Sequence, residues 1–124
     1  MERILIVEDD ESRRSWFDQQ FARYERDSTD QVAVACQWLS ERDYSLIFLD
    51  HDLAEEHYFV EVADDGFTGY AVASWLAEHP ERQPTAQIVI HSLNYSGAER
   101  MVAVLQSAGR QAEHVPFPYL SWLF

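Results

Sequence analysis

The chain has 124 residues, 47% of them hydrophobic and 14% aromatic, and carries a formal net charge of −13. That is one domain of ordinary size with enough apolar surface for a core, so a disordered chain is excluded. No apolar run approaches the ~20 residues of a membrane span. A surface this acidic also argues against an extended nucleic-acid groove, but not against a small phosphate held through a cation.

All nine basic residues are arginines. The N-terminus opens on charged, strand-like residues, so no signal peptide is expected. Cys36 is the one cysteine, which fits a reducing cytoplasm and a packing role for that thiol.

In chain order, Arg3 to Val7 reads as a first strand, closed by Glu8, Asp9 and Asp10. Ser12 is the expected cap of a helix running to about Tyr24, with Trp16, Phe17, Phe21 and Tyr24 at helical spacing. A short polar edge strand is expected at Tyr24 to Asp27. Thr29 or Asp30 then caps a second helix whose Val32, Ala35, Cys36 and Leu39 face inward. After Ser45, Leu46 to Leu49 is a continuous apolar run, as in a strand buried on both faces. It ends in Asp50, His51 and Asp52. Residues 54 to 65 form a loop rich in acids and aromatics, long for a strand–helix connection, with its turn at Asp65-Gly66. Thr68 caps a third helix that stops before Pro80. Gln87 to Ile90 is the fourth strand, followed by His91, Ser92 and Asn94. Ser96 caps a fourth helix that Gly109 ends. A fifth strand is expected over roughly Glu113 to Phe117. About a turn and a half of helix remains in Pro118 to Phe124.

Strands alternating with helical patterns imply βαβ units and a parallel sheet in an α/β domain spanning 1–124. Two apolar strands ending in carboxylates suggest one shared pocket at the sheet edge, where open α/β folds bind ligands.

The segments Ile4-Leu5-Ile6-Val7-Glu8-Asp9-Asp10, Leu46-Ile47-Phe48-Leu49-Asp50, Asp65-Gly66 and Ile88-Val89-Ile90-His91-Ser92 together resemble the response-regulator receiver family. The resemblance spans nearly the whole chain. It implies a flavodoxin-like (CheY-like) three-layer sandwich with a five-stranded parallel sheet in order 2-1-3-4-5. It implies that Asp50 stands at the phosphoacceptor position, that Asp9 is a direct Mg²⁺ ligand with Glu8 behind it, and that the backbone carbonyl of Asp52 completes the set. Ser92 matches the residue that contacts the phosphoryl group. Carboxylates crowded at one edge repel one another unless a cation joins them, and oxygen ligands suit a hard ion such as Mg²⁺ or Mn²⁺. The alternative is an acidic surface patch that holds no metal.

Three departures separate this sequence from an ordinary phosphorylation switch. Phe117, before Pro118, stands where receivers carry a lysine, and the chain has none to offer. The last helix is truncated. Histidines flank the pocket at His51 and His91. The strings Leu49-Asp50-His51-Asp52-Leu53 and His91-Ser92-Leu93-Asn94 resemble an atypical branch, the cyclic-phosphate-processing receivers. That resemblance implies an enzyme acting on a small cyclic phosphate or an RNA end carrying one.

Histidine can move a proton near neutral pH, so Asp50, His51 and His91 are the candidate catalytic residues, with Ser92 and Asn94 to hold phosphate. Strand alternation opposes this, since it turns His51 away from Asp50 and Asp52, and His91 away from Ser92. Each histidine otherwise packs beneath a helix, and Asn94 otherwise makes a turn. His57 reads as a solvated loop residue, and His79 and His114 as structural. Arg13 and Arg14 near Asp10, and Arg100 near Asn94, either reach an anionic ligand or form surface ion pairs. The aromatic tail either folds back over the sheet or forms a weak dimer contact, the chain otherwise being a monomer. The Asp-x-Asp of haloacid-dehalogenase-type phosphatases is discounted, because the chain is short for that family and Glu8-Asp9-Asp10 would go unexplained. Two further readings stand beside the enzyme. One is a signalling receiver phosphorylated on Asp50 by a histidine kinase; the other is a degenerate receiver serving as a protein-interaction module.

Overall fold

A computed structural model of the chain describes residues 2–53 and 68–124. The strands are β1 (Arg3–Val7), β2 (Glu25–Thr29), β3 (Leu46–Leu49), β4 (Gln87–Ile90) and β5 (Gln111–His114). The helices are α1 (Glu11–Gln20), α2 (Val32–Glu41), α3 (Gly69–Glu78), α4 (Tyr95–Ser107) and α5 (Leu120–Leu123), the last preceded by a 3₁₀ turn over Phe117–Tyr119. All strands pair in parallel, in the order β2-β1-β3-β4-β5. The loop of residues 54 to 65, with Asp65-Gly66 and His57, lies outside the described residues.

Alternation along the strands sorts the core into two layers. Ile4, Ile6, Phe48 and Val89 face α1 and α5, meeting Phe17, Phe21 and Leu120. Leu5, Val7, Ile47, Leu49, Ile88 and Ile90 face α2, α3 and α4, meeting Leu39, Val72, Leu76, Met101 and Leu105. The central strands are apolar on both faces because both are covered. β2 and β5, at the edges, keep polar and charged residues, which discourages edge-to-edge pairing with another chain. The tail folds back: Leu120 is fully buried, and the Phe124 ring lies 5.4 Å from Phe48 and 5.7 Å from Phe21.

Thr68 caps α3 as expected, accepting from the Tyr70 N–H, but two other helix starts differ from expectation in a consistent way. Asp10, not Ser12, caps α1 by accepting from the Arg13 N–H at 2.9 Å. Asn94, not Ser96, caps α4 by accepting from the Gly97 N–H at 3.0 Å. In both cases the serine two residues later donates its hydroxyl to the capping side chain. Neither Thr29 nor Asp30 caps α2: its N-cap is Gln31, without a side-chain bond, and Thr29 Oγ1 instead accepts from the Gln31 N–H. Helix α1 ends at Gln20 rather than near Tyr24. β5 begins and ends earlier than 113–117, because its alternating exposed pattern is that of an edge strand and carries little apolar signal. Val115-Pro116 therefore follows the strand and Phe117 opens the 3₁₀ turn; Val115 is buried, and neither residue offers a cation.

Away from the carboxylate edge, Gln83 fastens the sheet. Its backbone takes φ 55°, and its buried side chain accepts from the Tyr44 N–H and donates to the carbonyls of Leu39 and Arg42. That residue holds a left-handed conformation costly for a side chain, offset by these three bonds. Arg110 reinforces the same end, donating to the carbonyls of Leu76, His79 and Gln83.

Candidate functional site

The registers Ile6↔Phe48 and Phe48↔Val89 align β1, β3 and β4. Two residues further on, the same face carries Glu8, Asp50 and His91 in a row, with ligand-capable atoms of all three within 4.8 Å. Glu8 is wholly buried. Its carboxylate accepts five hydrogen bonds, from the N–H groups of Asp9 and Asp10, from Arg13 Nε and NH2, and from His91 Nε2 at 2.8 Å. Burial alone would raise its pKa, but the His91 and Arg13 bonds hold it well below the usual carboxylate range.

Asp50 shows the reverse. Burial first, and then the Glu8 charge beside it, push its carboxyl up to about 8. Its Oδ1 accepts from the His51 N–H at 2.8 Å, and its Oδ2 lies 3.6 Å from Arg13 NH2. The proton of this crowded pair therefore resides on Asp50. Because its acceptors are already filled, Glu8 sits behind the cleft rather than on its wall, and the buried trio is a hydrogen-bonded charge cluster rather than a metal cage.

His91 is 1% exposed and lies among the rings of Phe17, Phe48 and Phe117 at 5.2 to 6.4 Å. Burial lowers its pKa despite the Glu8 charge. Because a carboxylate oxygen can only accept, Nε2 carries the proton, and Nδ1 has no partner among the described residues. His91 is thus turned away from the cleft and holds Glu8.

Outside this cluster lies an open cleft of about 540 Å³ walled by Asp9, Asp10, Glu11, Arg13, Asp50, Asp52, Ser92, Leu93 and Asn94. The Ser92 hydroxyl accepts from the Asn94 N–H. Asn94 Nδ2 reaches Asp52 Oδ1 at 3.3 Å and His51 Nδ1 at 3.4 Å. His51 points toward α4, away from Asp50, as alternation requires. Its Nδ1 pairs with Asp52 Oδ1 at 2.8 Å, and Arg100 NH2 donates to Nε2 at 3.3 Å. An arginine cannot accept, so His51 is the neutral Nδ1–H tautomer. A Cβ on Gly97 would stand 2.6 Å from this ring, so only glycine lets α4 approach it. His79 stacks on Trp75 and His114 meets Tyr95 edge-on, as packing roles require.

Of the candidate residues, Asp9, Asp50, Asp52, Ser92 and Asn94 come together at the cleft. Glu8 and His91 meet behind it, and His51 sits to one side through Asp52. The sequence reading missed the Glu8–His91–Arg13 cluster, although the signal was there: Glu8, Asp50 and His91 each follow a residue of one aligned row by two positions.

Asp50 makes a direct prediction. Its carboxyl is ionised in the unfolded chain above about pH 4 and protonated in the folded one below about pH 8. Folding between these limits takes up a proton, so stability falls as pH rises through that window. In chelator-treated protein, Asp50→Asn should melt with the wild type near pH 4 and at least about 10 °C above it at pH 8. Equal melting at pH 8 would contradict the assignment.

A doubly covered parallel sheet in this order, with aspartates gathered at the carboxyl ends of β1 and β3, defines a response-regulator receiver domain of the CheY-like flavodoxin fold. Within that class the chain belongs to the cyclic-phosphate processing receiver domain family, whose model matches residues 3–107. Solved structures share the fold. The response regulator TrrA from Thermotoga maritima, in complex with Mg²⁺–BeF, is 19% identical with a TM-score of 0.67, over 99% of this chain and 94% of that one. The receiver domain of the sensor histidine kinase PA1611 from Pseudomonas aeruginosa, with magnesium in its active-site cleft, is 16% identical with a TM-score of 0.68, over 98% and 93%. Chemotaxis protein CheY4 from Vibrio cholerae is 15% identical with a TM-score of 0.66, over 99% and 96%. No curated protein matches the chain. Among the described residues no helix is long and apolar enough to cross a membrane.

Proposed function

We propose that the cleft binds a divalent cation and a phosphate and that the domain opens cyclic phosphates. The observation that carries this reading is the convergence of Asp9, Asp50, Asp52, Ser92 and Asn94 on one polar cleft. The donor set fits a hard cation: it is oxygen-rich, and the burial and Glu8 charge that raise the Asp50 carboxyl would be offset by a cation beside it. Asp9, Asp50 and the Asp52 carbonyl would hold Mg²⁺ or Mn²⁺, with Glu8 fixing the Asp9–Asp10 backbone behind them. The cation would supply Lewis-acid polarisation of the phosphate oxygens. Ser92 and Asn94 orient the phosphate. His51, kept in its Nδ1–H form by Asp52, lies buried beside the cleft and would act as a base through Nε2. Water adds to phosphorus, its proton goes to Nε2, and one ring P–O bond breaks. The departing oxygen then takes the proton, leaving a phosphate monoester and a hydroxyl. Arg100 covers Nε2, so this transfer requires Arg100 to shift toward the anion.

The test is ³¹P NMR of 2′,3′-cyclic nucleotides with Mg²⁺. Ring opening should fall at least about a hundredfold in Asp50→Ala and His51→Ala. No turnover of any cyclic phosphate would refute the enzyme.

A second reading is a switch phosphorylated on Asp50 by a histidine kinase; the Asp50 carboxyl on the cleft wall beside Ser92 favours it. Acetyl phosphate with Mg²⁺ would then leave a labile acyl phosphate on Asp50 without ring opening. Silence in both assays would favour a protein-interaction module, its contact the C-terminal helix where Trp122 and Leu123 are exposed.

A further inference from the structure

The geometry points to Arg13 as the group that receives the phosphate oxyanion, through the end-on edge of its guanidinium, in a chain that has no lysine for the task. The inference rests on the phosphate-binding reading of the cleft and names a residue that reading does not assign.

Among the described residues that wall the cleft, five are acidic and Arg13 is the one cation. An anion entering there meets repulsion from every other charged side chain. A divalent ion offsets part of that field, and Arg13 is placed to offset more.

Its geometry is specific. A guanidinium has five N–H donors in a planar fork. Nε and NH2 are engaged side-on by Glu8, at 2.9 Å to Oε1 and 3.3 Å to Oε2. That leaves the outer hydrogen of NH2 and both hydrogens of NH1, and NH1 makes no hydrogen bond among the described residues. The outer hydrogen of NH2 and one hydrogen of NH1 form the end-on edge, a second bidentate face of the same plane. The edge is aimed at the phosphoacceptor position, since NH2 stands 3.6 Å from Asp50 Oδ2. Phosphate matches such an edge with two oxygens.

The plane is also held in place. Glu8 is wholly buried and fixed by its other three donors, so its grip on Arg13 is rigid. The Phe117 ring lies 5.9 Å beneath the guanidinium carbon. Yet 27% of the Arg13 side chain is exposed, while Glu8 has no exposure at all. The arginine thus joins a buried anchor to an open cleft. A lysine here would offer a single ammonium held by Glu8, with no second planar edge to meet two phosphate oxygens.

The test is Arg13→Lys, which keeps a charge for Glu8 and removes the second edge. Mg²⁺ affinity is measured by calorimetry, and inorganic phosphate binding at saturating Mg²⁺ by ³¹P line width. The expected result is Mg²⁺ affinity within about twofold of the wild type and phosphate affinity weakened at least about tenfold. Equal phosphate affinity in both proteins would overturn the role of Arg13 and leave the phosphate pocket standing. No phosphate binding by the wild type would overturn both. Should Arg13→Lys fail to fold, the wild type still decides. Guanidinium N–H signals that show cross-peaks to the Phe117 ring should move on adding phosphate, and signals that stay fixed would refute the proposal.

Discussion

Glu8→Ala should destabilise the fold by about 3–5 kcal/mol, because it removes the acceptor from a buried, charged network. Five donors converge on that carboxylate. Arg13 is partly exposed and can turn to water, but His91 cannot: it is enclosed by aromatic rings, and its other nitrogen already lacks a partner among the described residues. Glu8→Gln should fare little better, since every partner is a donor and the new amide must turn its NH₂ toward one of them. His91→Phe should recover part of the loss in the Glu8→Ala background, with a coupling of about 2 kcal/mol, because a ring with no polar atom suits that box. Urea midpoints with an unchanged slope measure all three. Glu8→Ala should also flatten the rise of stability at low pH, since the Glu8 charge helps keep the Asp50 proton in place. A cost below about 1 kcal/mol would show that the network is not a structural anchor.

Gly69→Ala should be comparably damaging, for a steric reason. The added Cβ would lie 1.7 Å from the Asp50 carbonyl oxygen and 2.8 Å from its carbon, both backbone atoms. No side chain can yield there, so the start of α3 must retreat from the turn after β3. The Gly69 N–H would then lose the His51 carbonyl, which it holds at 2.8 Å. Overpacking of this kind costs about 3 kcal/mol or more. Because the displaced turn carries Asp50 and Asp52, Mg²⁺ stabilisation should disappear with it. A variant that melts within a few degrees of the wild type and still responds to Mg²⁺ would contradict this placement.

The central strands were legible because buried parallel strands announce themselves as unbroken apolar runs, whereas their order in the sheet came only from the family resemblance. Ile4 to Val7, Leu46 to Leu49 and Gln87 to Ile90 all emerged within a residue of their expected bounds. The fifth strand did not, because Gln111 to His114 is an exposed edge whose polar residues look like a loop. The caps were misplaced for one reason in two places. In Asp10-x-Ser12 and Asn94-x-Ser96 the residue leaving the strand already caps the helix, and the serine only braces it. The cleft carboxylates were legible as residues closing their strands. The fates of His51 and His91 depended on which helix lay over each face, and alternation alone does not give that. Arg13 was legible only as one of three arginines that either reach an anion or pair at the surface, since nothing local distinguishes a guanidinium gripped by a buried carboxylate from one in water.

The fold-back of the tail also gives the site an optical reporter. Trp16 meets the Phe117 ring edge-on at 5.1 to 5.3 Å from Phe17 and Phe117, and Phe117 in turn lies beneath Arg13. Trp122, by contrast, is 78% exposed. Iodide should quench Trp122 first, and the sheltered emission that remains includes an indole one ring away from the guanidinium. Events in the cleft therefore become readable in unlabelled protein, as a change in light from a residue that never touches the ligand.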